Sequence, residues 1–286
     1  MFITQDSKFK IDADKDINIS QLDTSIKQKS DKQALKKSLK KVVKAISQRQ
    51  EILYAQGKYS ILLVFQAMDA AGKDSTIRAV MSGINPAGCA VHSFKKPSSN
   101  ELKHDFLWRT TKALPERGMF GVFNRSHYEE VLVCKVHPEY LRGQGLSITD
   151  TDSLWQERYD AIVAHEKHLA QSNTIVLKFW LNVSQTEQHK RFLSRLEEPS
   201  KNWKFSEGDL AESKLWPQYM QAYADMLEQT SKPWAPWYAI PADNKPAMRL
   251  AVAQVILDNL NALPLDYPQL SKSETVELEQ FKRQLK

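Results

Sequence analysis

Cysteine is scarce in this chain: Cys89 and Cys134 are its only two, and neither has a nearby partner in sequence. That scarcity excludes a disulfide framework, argues against a zinc site and fits a reducing compartment. No run of 18 apolar residues occurs, and the opening MFITQDSKFKIDADK has no apolar signal core. The expectation is a cytoplasmic protein that makes no membrane contact. Charge of one sign is also in short supply. A formal net charge of +6 over 286 residues permits an anionic partner but does not indicate nucleic acid. Several catalytic signatures are missing. There is no G-x-S-x-G elbow and no dinucleotide G-x-G-x-x-G. HEKH at 165–168 lacks the H-E-x-x-H spacing of zinc proteases. DNKP at 243–246 is like the guanine-reading N-K-x-D loop, but Ala247 stands where the Asp is required, which argues against a GTPase.

What is present is an ordinary soluble composition, 42% hydrophobic and 26% charged, with no repeat or low-complexity tract. Residues 1–30 are polar and expected to be an extended N-terminal extension. From Asp31 to Gln56, Leu35, Leu39, Val42, Ile46 and Leu53 recur at helical intervals, with Lys36, Lys37, Lys40, Lys41 and Lys44 on other faces. The lysines form either a solvated face or a basic wall beside an anionic substrate. Strands and helices then alternate. Strands are expected at 59–66, 89–94, 119–124, 174–183 and 237–242. Helices are expected from Asp74 to Gly83, at 100–114 with Asn100 as N-cap, at 151–172, at 184–197 capped by Ser184, and at 245–263. Such alternation predicts an α/β fold with a parallel sheet and helices on both faces. The segment from Pro199 to Pro236, rich in Trp, Tyr and charge, reads as an inserted helical hairpin, with a lid at about 198–232.

The first chemical motif is ILLVFQAMDAAGKDST at 61–76, an apolar strand running into a tight turn and a Lys. It has the strand–loop–helix context of the phosphate-binding pattern G-x-x-x-x-G-K-[ST]. Ala67 replaces the first Gly, Asp74 replaces the hydroxyl residue, and Asp69 lies inside the loop. Backbone N–H groups of Ala70, Ala71 and Gly72 would cradle phosphate oxygens, with the helix dipole behind them. Lys73 supplies a cation, Ser75 or Thr76 a hydroxyl, and Asp69 a hard ligand for Mg²⁺. The second motif, VFNRSHYEEV, ends a strand in Asn124 and Arg125 and continues to Glu129 and Glu130. A metal ligand and a phosphate clamp belong at that edge of a parallel sheet. The third places Arg191 and Arg195 four apart on one helix, beside the insertion. Lid arginines of this kind stabilise charge on a transferred phosphoryl group.

FQAMDAAGKDSTIR, GINPAG, SFKKPSSNELKHDFLWR, VFNRSHYEEVLV, NWKFSEGDL, LWPQYMQAY and APWYAIPADNK, in order and with matching spacing, resemble a family-2 polyphosphate kinase from about residue 30 to 265. The resemblance implies a P-loop kinase fold at 31–265 with a helical lid, leaving 266–286 as a C-terminal tail. It implies transfer of a terminal phosphate between polyphosphate and a nucleotide, with Mg²⁺ or Mn²⁺ as cofactor. Carried over by position, Asp69 and Lys73 organise metal and phosphate. Arg125, Arg191 and Arg195 would stabilise charge, and Lys204 would sit in the lid. Asn124, where most members have Asp, together with Glu129 resembles the branch accepting both AMP and ADP. A metal held by Asp69 and Asn124, or by Glu129 through water, is then expected. Adenine, or guanine, is expected near Asn85 and Pro86, and polyphosphate along a groove to which Arg78, Arg109 and the 36–44 helix contribute. By family analogy alone the chain is expected to form a homo-oligomer. The alternatives are an ATP-dependent nucleoside-monophosphate kinase and a non-catalytic nucleotide- or nucleic-acid-binding module.

Overall fold

The computed structural model describes residues 1–12, 16–27, 31–146 and 151–286. Five parallel strands form its sheet: β1 Ser60–Gln66, β2 Cys89–Ser93, β3 Phe120–Asn124, β4 Thr174–Asn182 and β5 Trp237–Pro241, in the order β2-β3-β1-β4-β5. Every residue of β1, β4 and β5 is buried, as continuous apolar runs covered on both faces require. Phe65, Phe179 and Tyr238 stack across these three strands at centroid spacings of 5.0 and 5.7 Å. Helices α1 Lys32–Gln56, α2 Lys73–Val80 and α9 Lys245–Ala262 pack together over one face. On the other lie α5 Thr151–Gln171 and α8 Trp216–Thr230, which carries Tyr219, Tyr223, Met226 and Leu227 into the core. The remaining helices are short α3 Trp108–Thr111 and α4 Val133–Val136, then α6 Gln185–Glu197, α7 Glu207–Lys214 and α10 Lys272–Gln284. No described helix is long and apolar enough to cross a membrane.

Local sequence explains most boundaries. Asp31 caps α1 by accepting from Ala34 N at 2.7 Å, and Ser184 caps α6 by accepting from Glu187 N at 3.1 Å. The helix expected at 100–114 does not form as one unit. Asp105 Oδ1 accepts from Leu107 N at 2.9 Å, an Asx turn that breaks the segment into a 3-10 turn and α3. Asn100 makes no side-chain cap bond there. Residues 9–11 of the extension lie antiparallel along β5, with Ile11 N donating to Trp237 O and Ala239 N to Phe9 O, both at 2.8 Å. The expected boundary at 28–30 lies outside the described residues. The lid segment has two unlike parts: the stretch 199–214 is largely exposed, whereas α8 belongs to the main core.

Candidate phosphoryl-transfer site

β2 and β3 lie to one side of β1 and β4 and β5 to the other, so β1 marks the topological switch of the sheet. Ligands of open α/β sheets bind at the carboxyl ends of such strands. There the loop 67–72 turns from β1 into α2. Gly72 holds φ 108°, a backbone that an L side chain rarely adopts. At this edge of the sheet two residues other than glycine also sit in the left-handed region, Ala70 at φ 61° and Arg125 at φ 63°. Each conformation costs about 1–3 kcal/mol and persists only where surrounding bonds enforce it.

Arg125 supplies one such set of bonds. Its two terminal nitrogens donate to Asp69 Oδ1 at 2.6 Å and Glu129 Oε2 at 2.9 Å, while its backbone N–H donates to Phe65 O at 3.1 Å. Glu129 foremost, and Asp69 after it, push the guanidinium pKa further up. Burial works against the Asp69 carboxylate, but Lys73, Arg125 and Arg195 outweigh it and hold its pKa below the ordinary value. Glu129 therefore braces Arg125 from behind, in a small cavity shared with Tyr219 and Tyr223. Asp69 and Glu129 thus share Arg125, each through one carboxylate oxygen.

Lys73 is buried at the start of α2, with Nζ 2.6 Å from Ala67 O and 3.4 Å from Met68 O. Burial, reinforced by Arg125, brings its pKa down to about 8. The two departures at positions 74 and 124 belong together. Asn124 Nδ2 donates to Asp74 Oδ1 at 2.7 Å and lies 3.4 Å from Ser93 Oγ. An amide donates where a second carboxylate would repel. Ser75 Oγ donates to Gly72 O at 3.1 Å.

The two lid-base arginines differ in kind. Arg191 Nε donates to Glu187 Oε1 at 2.8 Å. Its Nη1 donates to Ala70 O and Ala71 O, and its Nη2 to Ala242 O and Asp243 O, at 2.7–3.1 Å. All five N–H groups are thereby used. Arg191 clamps the phosphate loop to the turn after β5. Arg191 also lines the cleft, so positioning the loop adds to its expected role in stabilising charge. Arg195 Nη1 donates to Asp209 Oδ2 at 2.7 Å and to Lys204 O at 3.2 Å, tying the lid to α6 with donors to spare.

Asp69, Ala70, Gly72, Lys73, Asp74, Ser75, Asn124, Arg125, Arg191, Arg195 and Lys204 surround one cleft of about 650 Å³. Ala71 is buried beneath the loop. Asn85 and Pro86 do not join them. Asn85 caps a 3-10 turn leading into the amino end of β2, with Oδ1 accepting from Ala87 N at 3.0 Å. That places them at the opposite edge of the sheet, because α2 has carried the chain back across it. Arg78 is exposed on α2, and Arg109 is buried with Nη1 2.7 Å from Lys95 O. Neither lines the cleft.

Sequence reasoning missed Gln188 and Lys245. Gln188 Nε2 donates to Asp69 O at 3.0 Å, and its Oε1 accepts from Ser213 Oγ at 2.7 Å, linking loop and α7. Lys245 lines the main cleft and two adjoining grooves, of about 400 and 220 Å³, which also include Lys32; the smaller adds Lys36 and Arg249. Burial, then Arg191 and Arg249, lower the Lys245 pKa to about 8. Its signal was position: the turn after the last strand of a parallel sheet.

Fold and site together define a phosphotransferase of the P-loop kinase type. The polyphosphate kinase 2 (PPK2) family model matches residues 28–266. An ADP-polyphosphate phosphotransferase of Rhodopseudomonas palustris is 51% identical over 249 residues, 86% of each chain. An AMP/ADP-polyphosphate phosphotransferase of Meiothermus ruber is 42% identical over 238 residues, 83% of this chain and 85% of that one. The crystal structure of polyphosphate kinase 2 from Arthrobacter aurescens superposes with a TM-score of 0.86 at 34% identity, covering 98% of this chain and 99% of the other. The chain belongs to the polyphosphate kinase 2 family.

Proposed function

We propose that this kinase transfers the terminal phosphate of polyphosphate to AMP and ADP, reversibly. The observation that carries this reading is the continuity of the phosphate-loop cleft with a basic groove through Lys245, flanked by Lys32, Lys36 and Arg249. A nucleotide donor needs a second base pocket; a linear polyanion needs a row of cations, which this groove supplies. An ATP-dependent monophosphate kinase is less consistent with it. Lys36 of the expected basic helix lines this groove with Arg249, whereas Arg78 and Arg109 do not.

In this reading an oxygen of the nucleotide's terminal phosphate attacks the terminal phosphorus of polyphosphate in line. One O–P bond forms, the terminal anhydride P–O bond breaks, and the electron pair leaves with the shortened chain. Both reactants are anions, so the protein aligns them and spreads charge rather than supplying a nucleophile. Lys73, Arg125 and Arg195 do this around the Asp69 carboxylate. Ala70 and Gly72 present backbone N–H groups of the loop, which Arg191 positions, while the Ala71 N–H donates to Met68 O at 3.3 Å and closes the turn. Asp74 and Ser75 border the phosphate path, and Lys204 closes it from the lid.

The oxygen-rich donor set fits Mg²⁺ or Mn²⁺. Among the described residues no three His, Cys, Asp or Glu side chains form a metal cage. Mg²⁺ held by one or two side-chain oxygens, substrate phosphates and water needs none. Asp69 and Asn124 Oδ1 would hold it, and the ion would neutralise charge on the transferring phosphate. Unpaired Cys89 and Cys134 support a cytoplasmic setting. Adenine nucleotides, with guanine nucleotides as further substrates, and self-association complete the proposal.

The groove is tested by charge reversal. Lys36→Glu with Arg249→Glu is expected to raise KM for long-chain polyphosphate about tenfold or more while leaving KM for ADP within about twofold. An unchanged polyphosphate KM removes the groove from the mechanism.

A further inference from the structure

The nucleobase has no site yet, because Asn85 and Pro86 lie at the wrong edge of the sheet. A purine needs an apolar face, and most residues that line the cleft are polar or charged. Its two aromatic members are Phe94 and Trp203. Phe94 is largely committed. It meets Phe123 edge-on at 5.0 Å, and the Arg109 guanidinium lies 5.6 Å from its centroid. Trp203 is the opposite case: it is 78% exposed, the sole tryptophan among the exposed large apolar residues described. Leaving that much indole in water is unfavourable unless something covers it.

The ring is nonetheless held in place. Its Nε1 donates to Ser200 O at 3.0 Å, so its polar edge is satisfied and its faces are what remain. The turn that carries it, Pro199–Lys204, is pinned to the end of α6 by Asn202 Nδ2, which donates to Arg195 O at 2.7 Å and Leu196 O at 2.8 Å. The same turn receives the Arg195 guanidinium at Lys204 O, so the indole and a charge-stabilising arginine move as one piece. Lys204 Nζ sits over one face of the ring, 5.0 Å from its centroid, which leaves the opposite face for a base.

We propose that Trp203 is the stacking platform for the base of the nucleotide substrate. This rests on the polyphosphate:nucleotide reading above. Stacking on an aromatic face is tolerant of base identity, because every base has a π-face. The cleft residues that share this turn and the end of α6 are Ser194, Arg195, Lys201 and Lys204, with no carboxylate or amide among them. Discrimination between adenine and guanine is therefore modest, and base binding couples directly to lid position.

The test is calorimetric titration of wild type, Trp203→Phe and Trp203→Ala with ADP, with AMP and, separately, with ribose 5-phosphate, which is AMP without its base. KM values for ADP and polyphosphate are measured alongside. Trp203→Ala weakens ADP and AMP binding by about 10-fold or more and leaves ribose 5-phosphate binding within about twofold; Trp203→Phe keeps ADP within about threefold. KM for polyphosphate stays near wild type. Unchanged ADP binding in Trp203→Ala overturns the proposal. So does parallel weakening of ADP, AMP and ribose 5-phosphate, which would assign Trp203 to lid packing. Wild type that binds ADP in this Trp203-dependent way, yet shows no polyphosphate-driven turnover, would instead sink the donor assignment alone.

Discussion

Replacing Asn124 by Asp would set a carboxylate against the Asp74 carboxylate, which now accepts from Asn124 Nδ2 at 2.7 Å. Two costs follow. The hydrogen bond to a charged acceptor is lost, about 1.5 kcal/mol at the low end of its range for an exposed pair. Like charges about 3–4 Å apart repel by up to about 4 kcal/mol at an effective dielectric of 20, discounted to about 1 kcal/mol because solvent reaches this pair. The sum, about 2–3 kcal/mol, is about a 30- to 150-fold loss in kcat/KM if the pair shapes the reactive geometry. Asp74→Asn loses less, since two amides can still pair. The double variant Asp74→Asn with Asn124→Asp exchanges donor and acceptor and restores most of the loss. Steady-state kinetics with AMP and with ADP on all four proteins give the coupling energy directly. Coupling of at least about 1 kcal/mol is expected, with a shifted AMP-to-ADP preference in Asn124→Asp. Additivity within about 0.5 kcal/mol, with an unchanged preference, refutes the pairing argument.

Further outcomes are expected elsewhere in the site. Arg191→Ala strips five hydrogen bonds from a buried clamp and should cost about 3–5 kcal/mol of stability along with turnover. Denaturant unfolding checks it, and a loss below about 1 kcal/mol with full activity would contradict the clamp. Lys73, with a pKa lowered to about 8, carries its charge below that value and sheds it above. The free-enzyme kcat/KM should therefore fall as pH rises through about 8, with Lys245 titrating in the same window. A profile flat to pH 9.5 would show that neither ammonium is needed.

Those features that a local pattern encodes were legible in the sequence. β1 and β4 announce themselves as unbroken apolar runs because both faces are covered, and Ser184 marks α6 because its hydroxyl has one helical N–H to serve. The phosphate loop was readable despite its irregular Asp74, since strand, turn and helix came in order. Other features depend on direction in three dimensions. GINPAG looked like a neighbour of the loop, but α2 returns the chain to the far edge of the sheet. Arg191 and Arg195 share one helical spacing, yet only the fold brings four carbonyl oxygens to the first of them. Asp69 and Glu129 are far apart in sequence, and only the fold brings both to Arg125. The Trp, Tyr and charge of 199–236 suggested an inserted helical hairpin, whereas Tyr219, Tyr223 and Met226 of α8 are core residues.

The most direct measurement of the central claim omits ATP altogether. The protein is incubated with Mg²⁺, long-chain polyphosphate and AMP, and ADP and ATP are followed by chromatography. ADP appearing first and ATP after it, with polyphosphate consumed in step, is the predicted result. No product from AMP or from ADP until ATP is supplied would contradict polyphosphate as the donor and favour an ordinary monophosphate kinase.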